Sequence, residues 1–491
     1  MPLHDLYRST LALLTDLYQL TMAQGWWHAG MHRHQAVFHL FFRKAPFGGG
    51  FAVAAGLEPA LEFLQAYRFD ASDLAYLAQV RDPNGDLLFR PAFLDELGKA
   101  RFDCDVHAIA EGSVVFPHQP LLRVQGPLWM AALVETPLLN LVNFQTLIAT
   151  KAARVAWAAQ GQPVLEFGLR RAQGIDGALA ASRAAYIGGA TATSNVLAGK
   201  LHGIPVRGTH AHSWVMSFDS EPAAFEAYAA AMPGNCVFLV DTYDTLQGVR
   251  HAIAVGKRLR QMGKRLVGVR LDSGDLAWLG QQARKLLDEA GFPDAAIVAS
   301  NDLDENLIES LQHQSSQIAV WGVGTQLVTG GTQAALGGVY KLAALRAGPD
   351  DPWQAKVKVS EQAVKTSNPG ILQVRRFERQ GEFIGDVLWD ELQPQPARWL
   401  AVDPSDATRR RAFDGPDLAA RDLLTPVMRA GQRCTPAVPL PEIAARARSQ
   451  LASLDTTRRR LAHPHGYPAG LEAGLHERKV ELVLRARQAR T

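Results

Sequence analysis

The sequence predicts an α/β protein organised around a parallel sheet, either closed as a β/α barrel or left open and doubly wound. Three observations carry this. In the middle of the chain one grammar repeats about six times: a short run rich in Val, Ile and Leu, a Gly or polar cluster, then a helix-length amphipathic segment. The apolar runs are continuous rather than alternating, which marks strands covered on both faces. Strands that alternate with helices pair in parallel through right-handed crossovers.

In chain order, the strand candidates of this repeat are 164–168, 205–208, 237–241, 265–271, 295–300 and 317–323. Residues 1–135 read as a separate N-terminal α/β domain, with helices near 11–26 and 56–67 and strand-like runs at 37–43 and 121–124. Strand-like runs return at 356–360 and 371–375, so strands from 350–400 are expected to complete that first domain. The repeat itself occupies 136–348. Beyond 400, two Arg-rich helices flank the H-P-H-G-Y-P-A-G segment from His463 to Gly470, and 400–491 is expected to be a mostly helical extension.

Bulk properties narrow the function classes. With 491 residues, the chain is too long for one ordinary core, so two or three domains are expected. Its 51 basic and 48 acidic residues are mixed along the sequence, which argues against nucleic acid as a partner. Cys104, Cys236 and Cys434 lie far apart without the paired spacing of a zinc site or a disulfide framework, which fits a reducing compartment. Asp5, Arg8 and Asp16 interrupt the N-terminal apolar residues, unlike a secretory leader, and the apolar stretch 129–144 is broken by Glu135, Pro137, Asn140 and Asn143. A cytoplasmic location with no membrane partner is expected.

In parallel α/β folds the loops leaving the carboxyl ends of the strands build the site. Here those loops hold Arg170 and Arg171; Thr209, His210 and His212; Asp241 and Asp244; Asp272 and Asp275; Asn301; and Gly324 with Thr325. The V-R-L-D-S-G-D-L string, 269–276, puts Arg270 inside a strand, where a guanidinium suits bidentate capture of a planar carboxylate. Its Asp272 and Asp275 suit Mg²⁺ or ribose hydroxyls, while Asp272 or Ser273 serving as a helix cap is the structural alternative. The G-V-G-T-Q turn, 322–326, followed by Thr329, Gly330, Gly331 and Thr332, is a candidate phosphate cup or a plain tight turn. Leu327 stands where a dinucleotide fingerprint needs its third glycine, and no Walker-type G-x-x-x-x-G-K string occurs. E-F-G-L-R-R, 166–171, offers Phe167 for stacking and two arginines for phosphate or for surface ion pairs. In G-T-H-A-H-S, 208–213, His210 and His212 could form a metal pair, as in a metal-dependent barrel hydrolase, or be structural. His251, His313, His463, His465 and His476 fall on predicted helices or in the tail, so a metal ligand set does not close.

L-L-T-D-L-Y-Q-L-T-M at 13–22, F-F-R-K-A-P-F-G-G-G-F at 41–51, E-F-G-L-R-R-A-Q-G at 166–174, T-S-N-V at 193–196, G-T-x-A-H-S and V-R-L-D-S-G-D-L occur in this order. Together they resemble the nicotinate phosphoribosyltransferase family, from about residue 11 to 370. The departure is His210, which replaces an apolar residue. The resemblance implies an irregular β/α (TIM-like) barrel of the phosphoribosyltransferase type. It implies an ATP-coupled enzyme of NAD salvage that joins nicotinate to 5-phosphoribosyl 1-diphosphate, with Mg²⁺ as cofactor and ATP as co-substrate. By match to the motifs, His212 carries a phosphohistidine and Asp272 shares the catalytic role. Tyr18 and Phe167 sandwich the pyridine ring, Thr209 assists, and Arg270 holds the carboxylate. Arg171, Ser273, Asn301, Gly322, Gly324 and Thr325 serve the donor, and Asp272 with Asp275 serve Mg²⁺. Tyr18 reaches a neighbouring subunit's site in this family, which implies a homodimer. The rivals are a nicotinamide or quinolinate phosphoribosyltransferase, the hydrolase that uses His210 and His212, and a non-catalytic nucleotide-binding regulator.

Overall fold

A computed structural model describes residues 10–362 and 365–488. Asp5 and Arg8, used above to read the N-terminus, lie outside the described residues. The chain divides into two compact units, Leu147–Ala334 and the combination of Met1–Thr146 with Ala335–Thr491.

In the Leu147–Ala334 unit six strands form one sheet in the order Ala192–Thr193, Val164–Glu166, Val320–Val323, Ala296–Ala299, Gly268–Leu271, Val237–Leu239. Every pairing is parallel. The last of these strands in the chain pairs with the first, Val323 opposite Glu166, so the sheet runs in cyclic chain order like a curling wall. A single bridge from Thr193 to Val206 extends it. Among the described residues no pairing joins Val206 to Val237–Leu239, which leaves a seam there. The predicted 205–208 strand is thus reduced to one bridge. Ala192–Thr193 was not predicted, because two residues carry no periodicity.

Four of the six strands hand over to a helix whose first turn is closed by a polar side chain. Asn195 accepts from the Ala198 amide at 3.2 Å, Asp244 from Gln247 at 2.7 Å and Asp304 from Leu307 at 2.8 Å. Asp275 accepts from Ala277 and Trp278, both at 3.1 Å. Each cap contributes about 0.5–2 kcal/mol and fixes where the loop before it must end. Beneath the loops, the buried Glu305 carboxylate pairs with Lys151 Nζ at 2.5 Å and Arg154 Nε at 2.8 Å, tying the Glu305–His313 helix to the long helix Glu135–Ala158.

The other unit is built on a seven-stranded antiparallel sheet in the order Gln354–Ala355, Gly338–Arg346, Gln35–Phe42, Leu122–Pro127, Asp105–Ile109, Leu424–Arg429, Gln432–Arg433. Of the strands that complete it, Gln354–Ala355 falls inside the expected 350–400 window, while Gly338–Arg346, Leu424–Arg429 and Gln432–Arg433 flank it, and 356–360 is not a strand. The 400–491 stretch is not mostly helical. Trp399–Val402, Arg410–Phe413, Leu418–Asp422 and Ala469–Glu472 join Leu372–Arg379 and Glu382–Asp390 in a six-stranded sheet, while helices occupy Leu440–Ala452 and Ala473–Gln488. Those strands are four or five residues long and two of them carry arginines, so the helices dominate the pattern in the sequence.

At the centre of this unit Arg376 and Asp386 are both fully buried and joined by two hydrogen bonds of 2.9 and 2.7 Å. Gln119 Nε2 at 2.6 Å and the Tyr467 hydroxyl at 2.8 Å donate to the same carboxylate. Tyr467, from the H-P-H-G-Y-P-A-G segment, stacks on Phe116 with ring centroids 3.6 Å apart. Among the described residues no helix is long and apolar enough to cross a membrane.

Candidate active site

Arg270 stands on the Gly268–Leu271 strand with its side chain only 15% exposed. One terminal nitrogen donates to Thr209 Oγ1 at 2.9 Å and lies 3.5 Å from the His210 carbonyl oxygen. The other is 3.7 Å from Asp272 Oδ1, and Nε is buried without a hydrogen-bond partner. Burial lowers the guanidinium's pKa while Asp272 and Asp241 raise it. The result is a desolvated cation with unspent donors, suited to a planar carboxylate.

His212 opens the short helix His212–Met216. Its Nδ1 lies 3.1 Å from Thr242 Oγ1 and its Nε2 3.8 Å from Asp272 Oδ2. The hydroxyl fixes the ring's rotation, and the other nitrogen faces the carboxylate. Asp272 also accepts a hydrogen bond from Ser300 Oγ. Asp241 Oδ2 accepts from the Asp272 amide at 2.8 Å and from Ser273 Oγ at 2.7 Å, leaving Oδ1 buried and unpartnered. Asp241 and Thr242 were not assigned roles from the sequence; the signal was their place at the end of the predicted 237–241 strand.

Phe167 lies over the strand that follows it in the sheet. Its amide donates to the Val323 carbonyl at 2.8 Å, and a Cβ added at Gly322 would sit 2.8 Å from its ring. At Gly168 an added Cβ would fall 2.2 Å from Val328 Cγ1, so only glycine lets the E-F-G and G-V-G-T loops approach this closely. Glu166, fully buried, anchors the E-F-G loop by accepting from Ser182 Oγ at 2.8 Å, Thr193 Oγ1 at 2.5 Å and the Gly168 amide.

These elements bring Phe167, Arg170, Thr209, His212, Arg270 and Asp272 around one cavity of about 330 Å³. The other predicted positions are placed differently. Arg171 is exposed on the turn Leu169–Arg171, and it is Arg170 that lines the cavity. The Ser273 hydroxyl is engaged by Asp241. Asn301 is exposed with a positive φ of 102°, directly after buried Ser300. Gly324 and Thr325 begin a helix of only one turn, Thr325–Val328. Asp275 itself caps the Leu276–Glu289 helix, where the structural alternative had named Asp272 or Ser273. Tyr18 belongs to the other unit, 47% exposed on the Leu17–His28 helix.

His210 does not pair with His212. Its Nε2 accepts from the Leu239 amide at 3.3 Å, and its ring lies 5.0 Å from Tyr228 and 6.0 Å from Phe225. Burial pushes its pKa from 6.5 down to about 4, so it is a neutral, packed ring that fills the place of an apolar residue. Among the described residues no cluster of three metal-ligating side chains exists. A pH dependence follows. Between pH 6.5 and 4 the unfolded chain binds the proton that folded His210 refuses, so stability is full above pH 6.5 and falls on acidification. His210→Phe is expected to flatten that part of a plot of Tm against pH; an unchanged slope contradicts the assignment.

A family model described as the nicotinate phosphoribosyltransferase N-terminal domain matches residues 13–143. One described as the nicotinate phosphoribosyltransferase family matches 163–362, and one described as its C-terminal domain matches 373–479. A nicotinate phosphoribosyltransferase of Bacillus subtilis is 42% identical over 96% of this chain and 95% of its own. The chain belongs to the nicotinate phosphoribosyltransferase family. The Homo sapiens member is 39% identical over 94% of this chain and 95% of its own. The crystal structure of human nicotinic acid phosphoribosyltransferase aligns with a TM-score of 0.81 at 36% identity, covering 96% of this chain and 99% of that one. A nicotinate-nucleotide pyrophosphorylase from Pyrococcus furiosus, 20% identical with a TM-score of 0.66, shares the fold. The hydrolase reading of His210 and His212 has no support in this family or in the geometry.

Proposed function

We propose that this chain transfers phosphoribose from 5-phosphoribosyl 1-diphosphate to the ring nitrogen of nicotinate, giving nicotinate mononucleotide and diphosphate in NAD salvage. The observation that carries this reading is Arg270, a buried guanidinium with a free donor edge at the mouth of a cavity shared with Phe167 and His212. The ring lies against Phe167 and the carboxylate bonds to Arg270 and Thr209. The pyridine nitrogen's lone pair forms the new bond to the sugar's C1 as the bond from C1 to diphosphate breaks, leaving no proton to move. Such a step needs positioned partners and neutralisation of the leaving group more than a strong base.

Mg²⁺ fits beside Asp272 and Asp241, whose Oδ1 is buried without a partner; it supplies charge neutralisation to the diphosphate. Arg170, Arg171, Ser273, Asn301, Gly322, Gly324 and Thr325, from four adjacent strand ends, serve the donor. His212 accepts a phosphoryl group from ATP, and the added charge orders the surrounding cations toward synthesis. The cyclic order of the parallel strands supports an irregular β/α barrel. The exposed Leu17, Tyr18 and Met22 on the first helix support a homodimer in which Tyr18 completes a neighbour's site, and a cytoplasmic location accords with the small-molecule partners.

The test is purified protein with nicotinate, donor and Mg²⁺, with and without ATP. Nicotinate is expected to be used far better than nicotinamide or quinolinate, since one carboxylate meets one guanidinium; preference for either rival refutes the reading. With γ-labelled ATP, an acid-labile label is expected on the protein and is expected to be absent in His212→Ala. A label that survives in that variant contradicts the phosphohistidine.

A further inference from the structure

A second cavity in the Leu147–Ala334 unit, of about 1020 Å³, shares Phe167, Thr209 and Arg270 with the site but does not end there. It continues between the strands to their amino ends, where Pro163 and Arg265 line it, and Arg207 lines it along the seam, its amide donating to the Thr193 carbonyl at 3.0 Å. From Arg265 to Arg270 is five residues of nearly extended chain, roughly 16 Å. A closed β/α barrel fills this axis with layers of branched side chains. Here the walls are Val267, Ala296, Val298 and Val320, and Val206 at the seam remains 40% exposed, so the axis stays open. The lining contains three arginines and no aspartate or glutamate. Arg265 is exposed at one end, Arg207 is exposed along the seam, and desolvated Arg270 waits at the other end.

Building on the proposed function, we infer that this cavity is a through-channel by which a small aromatic carboxylate reaches Arg270 from the amino-end face of the sheet. The larger donor and ATP occupy the loops at the carboxyl ends. By this route the acid can bind to enzyme already loaded with donor, drawn by the exposed guanidinia of Arg265 and Arg207 and sliding along uncharged walls. Steering of this kind changes association rates by about 10–10³-fold and is screened by salt.

The experiment is a quenched-flow single turnover, in which enzyme preloaded with donor and Mg²⁺ is mixed with nicotinate at low and high ionic strength. Arg207→Glu with Arg265→Glu is expected to lower the second-order rate for nicotinate about tenfold at low salt, with the loss fading at high salt. The step at saturating nicotinate should be unchanged. Arg409→Glu with Arg485→Glu makes the same change in charge at exposed positions of the other unit, off the lining, and is expected to leave the rate alone. If the Glu pair folds poorly, Arg207→Gln with Arg265→Gln should show a smaller loss in the same direction. No loss in the Arg207 and Arg265 variants, or an equal loss in the control pair, overturns the channel. Failure of the unmodified chain to make any nucleotide from nicotinate would instead sink the functional reading, and the route with it, before any variant is compared.

Discussion

Arg270→Ala is expected to raise the nicotinate KM by about two to three orders of magnitude while the donor KM changes little. Losing one partner of a buried, hydrogen-bonded charge pair costs about 2–5 kcal/mol, and each 1.4 kcal/mol is tenfold in binding. The cost falls at the upper part of that range because the substitution also strips Asp272 of a cation 3.7 Å away and Thr209 of its donor. Arg270→Lys should recover little, since an ammonium replaces a planar fork with a point charge. Steady-state kinetics with each substrate varied decides the matter: equal effects on both substrates would mean that Arg270 maintains the loops rather than reads the acid.

Asp386→Ala is expected to destabilise the unit formed by Met1–Thr146 and Ala335–Thr491 by about 3–5 kcal/mol, the usual cost of leaving a buried charge unpaired. Arg376 would keep its bonds to Gln450 Oε1 at 3.1 Å and the Val114 carbonyl at 2.8 Å, but its charge would face only aromatic rings. Gln119 and Tyr467 would lose their common acceptor at the same time. Arg398→Ala provides the contrast. Its pair with Asp414 is 70% and 67% exposed, so its loss should cost less than about 1 kcal/mol. Urea titrations of the three proteins measure both effects, and a cost for Asp386→Ala no greater than that for Arg398→Ala would show that the buried pair is dispensable.

The parallel sheet was legible where burial on both faces leaves an unbroken apolar run, as in Val237–Leu239, Ala296–Ala299 and Val320–Val323. Its handover points were legible too, since Phe167, Thr209, His212, Arg270 and Asp272 all follow or end such runs and meet around one cavity. What stayed hidden depends on side-chain direction and tertiary pairing. The sequence does not distinguish Arg170, which lines the cavity, from Arg171, which does not. Nor does it reveal that the His210 ring turns away from His212 toward Tyr228 and Phe225, or that Asp241 holds the next loop's backbone. The six-stranded sheet escaped for a related reason: short edge strands acquire meaning only from their neighbours.

The arrangement of strands also governs how the chain emerges during synthesis. Leu147–Ala334 is contiguous, whereas Gln35–Phe42 lies between Leu122–Pro127 and Gly338–Arg346, and Asp105–Ile109 pairs with Leu424–Arg429. A ribosome therefore releases everything the middle segment needs while Gln35–Phe42 and Asp105–Ile109 each still lack one hydrogen-bonding neighbour. The first edge stays open until Gly338–Arg346 is made and the second until Leu424–Arg429, in the last fifth of translation, and that interval is when nascent copies are most exposed to one another and to chaperones.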